Sequence, residues 1–324
     1  MYRQNQYTMT IQQLEYIIAV DNYRHFAKAA EACFVTQPTL SMMIQKLEDE
    51  LDVKIFDRSA HPVEPTEIGK KILNQARISI RYFYQIKEVV DNEKDILTGD
   101  FKLGIIPTIA TYIVPELLRC LKETESGINL ILQETPTSVM VENLLNGKLD
   151  GGLAATPLNH PNLIEIPIYY EKFYAYVSPL DGLFEDEEVD LSEVDIHAVW
   201  LLENIHCLRG QIVKLCQMKK EKDREKTEKI KYESGSIDTL INIVDYNGGL
   251  TVIPEMTAMG LPEEKQGNLR RLKGNTSVRE VSLIVSQDFV RQKMAGTIVE
   301  MIKNSVPRSM QDESLRQYII DVSY

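Results

Sequence analysis

Cysteine and tryptophan are scarce in this chain: four and one, respectively, among 324 residues. That excludes a disulfide-knit scaffold, which small secreted domains need and a chain long enough for two or three cores does not. There is no run of eighteen apolar residues and no basic–apolar–small leader. A bilayer span and Sec export are therefore not expected, and a cytoplasmic protein is. Basic charge is short as well. Lys and Arg number 36 against 48 Asp and Glu, a net charge of −12, which excludes a protein that coats nucleic acid over its whole surface.

The deficit is uneven. Residues 1–97 hold 12 basic and 14 acidic groups, whereas 98–324 hold 24 and 34. The pattern of elements changes at the same place. Up to about residue 95 the apolar spacing is helical throughout. Beyond it, short β-rich runs at 101–106, 128–132, 173–177, 198–202, 250–253 and 281–285 alternate with helical stretches. That alternation predicts βαβ units and a mostly parallel sheet. Leu97-Thr-Gly-Asp100 is the expected hinge, and the residues after Pro307 read as a tail.

In the first part, Thr10 is placed to cap a helix with Ile11, Leu14, Ile17 and Ile18 inward, and a second helix is expected near 25–33. A third starts at Gln37 with Pro38 in its first turn, where proline is tolerated. Its buried stripe is Leu40, Ile44, Leu47 and Leu51, and its other face shows Gln37, Pro38, Ser41, Met42 and Gln45. Two small-residue helices, a tight turn and a polar-faced third helix predict a helix-turn-helix, with 54–58 and 63–66 as a two-stranded wing. From Thr66 a long helix carries Ile68, Ile72, Ala76, Ile80, Phe83, Ile86 and Val90 along one side, a stripe that requires a partner surface.

The strings Phe26-Ala-Lys-Ala-Ala30, Thr36-Gln-Pro-Thr-Leu-Ser41, Lys46-Leu-Glu-Asp-Glu-Leu51 and Phe56-Asp-Arg58 resemble the LysR-type transcriptional regulators. The resemblance implies an α/β chain with an all-α N-terminal part. It would comprise a winged helix-turn-helix (9–66), a dimerising linker helix (67–97), a two-lobed α/β effector domain like the periplasmic binding proteins (98–307, second lobe about 172–272) and a tail (308–324). It also implies that Gln37, Pro38, Thr39 and Ser41 face promoter DNA with Lys28 and Arg58 near phosphates. Homodimers or homotetramers and contact with RNA polymerase follow from it too. Met42 and Met43 stand where many members carry an arginine or another polar residue, and Asp52 stands where the glycine after the helix is usual.

The stretch Leu201–Cys216 admits three readings: two packing cysteines, a zinc site with His197 and His206, or a redox pair. Neither the adjacent His206-Cys207 nor the gap to Cys216 matches common zinc spacings, and no metal or cofactor is expected. Cys207 follows an expected strand and opens an expected helix beside His206 and Arg209, a setting that lowers a thiol pKa. Nine residues of continuous helix would separate it from Cys216 by about 13 Å, against about 4.4–6.8 Å tolerated by a disulfide.

This stretch also resembles the sensing segment of the hydrogen-peroxide-inducible activators of the same family. That implies Cys207 as the peroxidatic residue, Cys216 as the resolving one, and Thr108, Thr137 and His206 as the peroxide pocket. Hydrogen peroxide would be the signal and a glutaredoxin- or thioredoxin-type protein the reductant. The assisting basic residue is looked for near Ser286 and is not found there. Cys33 and Cys120 fall in helices as core residues. A regulator is expected rather than an enzyme. The rivals are a LysR-type regulator that binds a metabolite in its cleft and a thiol peroxidase.

Overall fold

A computed structural model describes residues 9–93, 97–124, 127–194, 199–216, 232, 234–274 and 277–321. Two compact units divide the chain near residue 95. In the first, α1 (Ile11–Tyr23) begins with a full capping box: Thr10 accepts from the Gln13 amide, and Gln13 reaches back to the Thr10 amide. The unit continues through α2 (Phe26–Ala32), α3 (Gln37–Leu51), an antiparallel wing of β1 (Phe56–Asp57) and β2 (Glu64–Pro65), and α4 (Glu67–Glu93). Leu40, Ile44 and Leu47 of α3 are fully buried against Ile17 and Val20 of α1 and Ala29 of α2. Each such leucine or isoleucine removed from water contributes about 1.5–3 kcal/mol.

The wing is fixed by one buried carboxylate. Glu48 of α3 accepts from the Ile55 amide at 2.8 Å and the Phe56 amide at 3.3 Å, and its other oxygen meets Arg58 and Lys54. Asp52 closes α3 at φ 53°, ψ 39°, the left-handed region that favours glycine and that aspartate tolerates. Gly69, in the first turn of α4, is required by space: a Cβ there would lie 2.0 Å from the Ile55 carbonyl oxygen. Along α4 the stripe changes character. Leu73 and Ala76 enter the unit's core, whereas Phe83, Ile86 and Val90 are exposed beside Tyr82, Tyr84 and Val89.

The second unit holds β3 (Thr98–Ile105), α5 (Pro107–Glu123), β4 (Gly127–Glu134), α6 (Thr137–Leu145), β5 (Gly151–Thr156) and β6 (Leu163–Val177). It goes on with β7 (Glu188–Val189), α7 (Cys207–Leu215), α8 (Ile237–Asn247), β8 (Leu250–Pro254), α9 (Glu255–Met259), α10 (Glu263–Gln266), β9 (Leu269–Leu272), β10 (Val278–Ser286) and α11 (Gln292–Asn304). The sheet order is β4-β3-β5-β10-β6-β9-β7, with β8 also on β6.

The sheet is mixed, a correction to the mostly parallel expectation. β3 pairs in parallel with β4 and β5, but β10 returns antiparallel between β5 and β6, and β6 is antiparallel to β8 and β9. The fifteen-residue β6 serves two lobes, pairing with β10 over its first part and with β8 and β9 over its last. Each lobe has its own core. Three further expectations are corrected. Three of the four expected hinge residues belong to β3, the described residues of the run at 198–202 supply isolated bridges rather than a strand, and the described part of the tail is docked. Within it Met310 is buried in the first lobe's core, and Ile319 bridges Val278.

Removing the Glu48 carboxylate leaves two buried amide donors without an acceptor, and a hydrogen bond to a charged group is worth about 1.5–3 kcal/mol. Glu48→Ala is therefore expected to lower the stability of the first unit by about 3 kcal/mol, read by hydrogen exchange at the α3 and wing amides. Unchanged exchange there would show that the wing does not depend on this group.

Candidate functional site

In the first unit, Gln37, Pro38 and Thr39 are exposed on the first turn of α3, Lys28 is exposed on α2, and Ser41 is half-buried. Arg58 donates to Ser41 Oγ at 2.9 Å and lies 4.9 Å above the Phe26 ring, so the wing arginine is stacked and tethered beside α3. Of the basic residues near this surface, Arg24 pairs with Asp21, and Lys54 and Arg58 pair with Glu48. The polar face, with the wing beside it, has the form of a helix-turn-helix reading head.

In the second unit, two helix starts and one strand meet at Cys207. Thr108 lies in the first turn of α5, Thr137 begins α6, and Cys207 begins α7. All three are buried, Cys207 to 5% exposure. β10 brings Arg279 to them. Its guanidinium is 1% exposed, donates to Thr108 Oγ1 at 3.0 Å, and ion-pairs with Glu171 of β6, taking its Oε1 through Nε at 2.8 Å and also through Nη2. Burial pushes the Cys207 thiol up. Against this act the Arg279 charge, the Thr137 hydroxyl and the amides of Leu208 and Cys207 itself. Thr137 Oγ1 favours the thiolate without forming a hydrogen bond of regular geometry among the described residues.

The lowered thiol pKa expected from the sequence is thus corrected: burial outweighs the helix start and the nearby cation, and the Cys207 pKa moves up. The cationic neighbour also differs. Arg209 turns away to the Leu202 carbonyl oxygen at 2.6 Å, and burial lowers the pKa of His206, keeping it neutral more readily. His206 is the cap residue of α7 without a side-chain capping bond, and its Nε2 is buried and unpartnered among the described residues. Arg279 is the charged residue that sequence reasoning missed. A signal existed: Arg279-Glu280 interrupts the apolar run from Val278 to Val285.

Cys216 closes α7 as its C-cap, and burial raises its thiol to about 11. The cysteines lie in different cores. Cys207 belongs to the cluster of the first lobe, with Ile109 and Leu153. Cys216 belongs to that of the second, with Leu240 and Ile241. Both are free thiols, as are the half-buried Cys33 and Cys120. Nine helical residues set the pair about 13 Å apart.

A cavity of about 160 Å³ lies between the start of α5, the end of β4 and the start of α8, lined by Thr108, Tyr112, Glu134, Ser236 and Asp238 among others. Thr108 reaches it; Cys207 and Thr137 do not line it. No group of three or more His, Cys, Asp and Glu suited to a metal occurs among the described residues, and His197 of the zinc reading lies outside them. No helix among the described residues is long and apolar enough to cross a membrane.

Comparison with known proteins bears on both units. The LysR-family regulatory helix-turn-helix matches residues 11–70, and the LysR substrate binding domain matches 94–307. A hydrogen peroxide-inducible genes activator of Haemophilus influenzae is 33% identical over 78% of this chain and 82% of its own length. A full-length OxyR variant from Pseudomonas aeruginosa has a TM-score of 0.76 at 28% identity, over 91% of this chain and 98% of that one. OxyR from Porphyromonas gingivalis has a TM-score of 0.62 at 31% identity, over 70% of this chain and all of that one. A winged helix-turn-helix followed by a two-lobed α/β domain, each matched over nearly its whole length, places the chain in the LysR family of bacterial transcriptional regulators.

Proposed function

We propose that this DNA-binding regulator senses hydrogen peroxide through Cys207 and Cys216. The observation that carries the reading is α7 itself. One short helix holds Cys207 at its start, beside a buried guanidinium, and Cys216 at its end in the core of the other lobe. The named relative at 33% identity supports peroxide as the signal.

In the proposed reaction the Cys207 thiolate attacks one oxygen of the peroxide. The O–O bond breaks and the second oxygen leaves as hydroxide, which takes a proton to become water. Cys207 is left as a sulfenic acid, its sulfur oxidised by two electrons. The Cys216 sulfur then attacks it, the S–O bond breaks, water leaves and the disulfide closes. Arg279 stabilises the thiolate, while Thr108, Thr137 and His206 line the approach and meet the leaving oxygen. The tolerated disulfide span of about 4.4–6.8 Å is well short of the helical separation, so α7 unwinds for the bond to form. Two electrons from a glutaredoxin- or thioredoxin-type dithiol restore both thiols.

Promoter DNA would meet Gln37, Pro38, Thr39 and Ser41, with Lys28 and Arg58 toward phosphates. A second copy would cover the exposed apolar half of α4, giving a homodimer or, paired again, a homotetramer that presents the DNA units to RNA polymerase. The cleft cavity favours a second reading, a small metabolite as the signal.

Brief, near-stoichiometric peroxide is expected to give a 207–216 disulfide by mass spectrometry, and Cys207→Ser to abolish any peroxide-dependent change in DNA footprint. Absence of that bond sinks the redox reading and leaves the metabolite. Arg279→Gln, which takes away the charge opposing the thiol's burial, should move the pH midpoint of Cys207 reactivity upward and slow oxidation at neutral pH by about tenfold or more. Reaction at an unchanged rate would remove Arg279 from the mechanism. Because several cations near α3 already have acid partners, Lys28→Ala should reduce the slope of log K against log salt by about one per subunit. A slope equal to wild type would place Lys28 away from phosphate.

A further inference from the structure

Arg279 cannot act on Cys207 without an element that fixes where its charge points, and that element is a carboxylate. Glu171 and Arg279 are direct cross-strand partners in the β6–β10 register. Glu171 is 0% exposed, and its Oε1 accepts both the Nε and the Nη2 protons of Arg279. Its Oε2 accepts the Met256 amide of α9 at 3.2 Å, so the carboxylate is held at both oxygens. With two guanidinium nitrogens tied down on one side, Nη1 is left for Thr108 Oγ1 at 3.0 Å. This geometry differs from that of a simple stabilising bridge, because the pair is not isolated: a nucleophilic sulfur feels the same cation.

We propose that Glu171 is a positioning residue for the Cys207 reaction, aiming the Arg279 guanidinium across Thr108 while holding back part of its charge from the sulfur. Glu171 would thereby set the threshold at which Cys207 reacts. The inference rests on Cys207 being the reactive group of the switch. Two opposite charges in a poorly screened interior couple strongly, and whatever field the carboxylate cancels is field the thiolate does not receive. The other groups around the site are few. Tyr169 of β6 is fully buried, with its hydroxyl pKa pushed well up by burial and by Glu171. Tyr112 of α5 is raised by burial as well, with smaller contributions from Asp238 and Glu171. Thr108, Thr137 and the neutral-leaning His206 also lie around the site, and Glu134 and Asp238 line the cavity that Thr108 reaches. Among these described groups Arg279 is the cation acting on the thiol, and Glu171 is the carboxylate bonded to it.

The test is the pH profile of Cys207 alkylation by iodoacetamide in the full chain, followed by mass spectrometry, with peroxide oxidation as a separate arm. Glu171→Gln keeps an acceptor for Arg279 and removes the charge. Its midpoint should fall by about one pH unit, giving about tenfold more thiolate at a given pH. Glu171→Asp keeps the charge one methylene further back, and its midpoint should fall by less. The variants should also depend on Arg279: in an Arg279→Gln background, Glu171→Gln should produce no downward shift. A midpoint that stays or rises in Glu171→Gln overturns the proposal. So does a fall that persists without Arg279, which would mean that the substitution merely loosens the site and lets in water. Should Glu171→Gln fail to fold, the Glu171→Asp midpoint decides, and no fall there overturns it. Alkylation needs no peroxide. If the midpoints behave as expected but peroxide forms no disulfide, the sensing reading fails, and what stands is only the control of the Cys207 thiol by Glu171 through Arg279.

Discussion

A guanidinium taken wholly out of water is the constraint around which the second unit is built. Arg279 is 1% exposed near the start of β10, a strand in which every residue is buried. Moving an ion into such an interior costs several kcal/mol unless opposite charge and hydrogen bonds compensate. The compensation comes from three elements far apart in sequence: Glu171 on β6, Thr108 on α5 and the polarisable sulfur at the start of α7. The antiparallel insertion of β10 between β5 and β6 is thus tied to the site, because the β6–β10 register sets Arg279 opposite Glu171. The first unit uses the same device with the sign reversed: the buried Glu48 carboxylate gathers two wing amides and two wing cations.

How far the sequence could be read follows from the range of each interaction. The helices of the first unit were legible because their signals are local. Thr10 caps where expected, and Leu40, Ile44 and Leu47 repeat at helical spacing. The sheet was less so. β5 is Gly-Gly-Leu-Ala-Ala-Thr, buried at every position but poor in the branched and aromatic residues that mark strands. The pairing of Glu280 with Thr156 joins positions more than a hundred residues apart, which no local window reports. The cysteine pair and the two threonines could be named from their motifs. The direction of the Cys207 shift could not, because it depends on how much water the fold removes, and burial proved larger than the helix start and the nearby cation together. Arg279 could not be assigned, because Arg279-Glu280 only interrupts an apolar run and the partner that explains its burial, Glu171, lies more than a hundred residues away.

The two units also divide the handling of charge. In the DNA-facing unit several cations are paired internally, which makes shape and hydrogen bonding matter beside phosphate attraction. In the second unit the ionic groups that matter are hidden, where salt screens them little. A regulator so arranged has a DNA-binding unit sensitive to its ionic surroundings and a buried Arg279–Glu171 pair largely insulated from them.

The placement of Cys207 and Cys216 in separate cores bears on how such a helix returns to its starting form. Leu208 and Ile212, on the turns between them, are fully buried in the second lobe. Drawing the two sulfurs together withdraws these side chains from their packing, and deleting a buried leucine or isoleucine costs about 2–5 kcal/mol. Were the proposed disulfide to close, the bent helix would hold that lost packing like a wound spring, and cutting the bond would let Leu208 and Ile212 return to the second lobe.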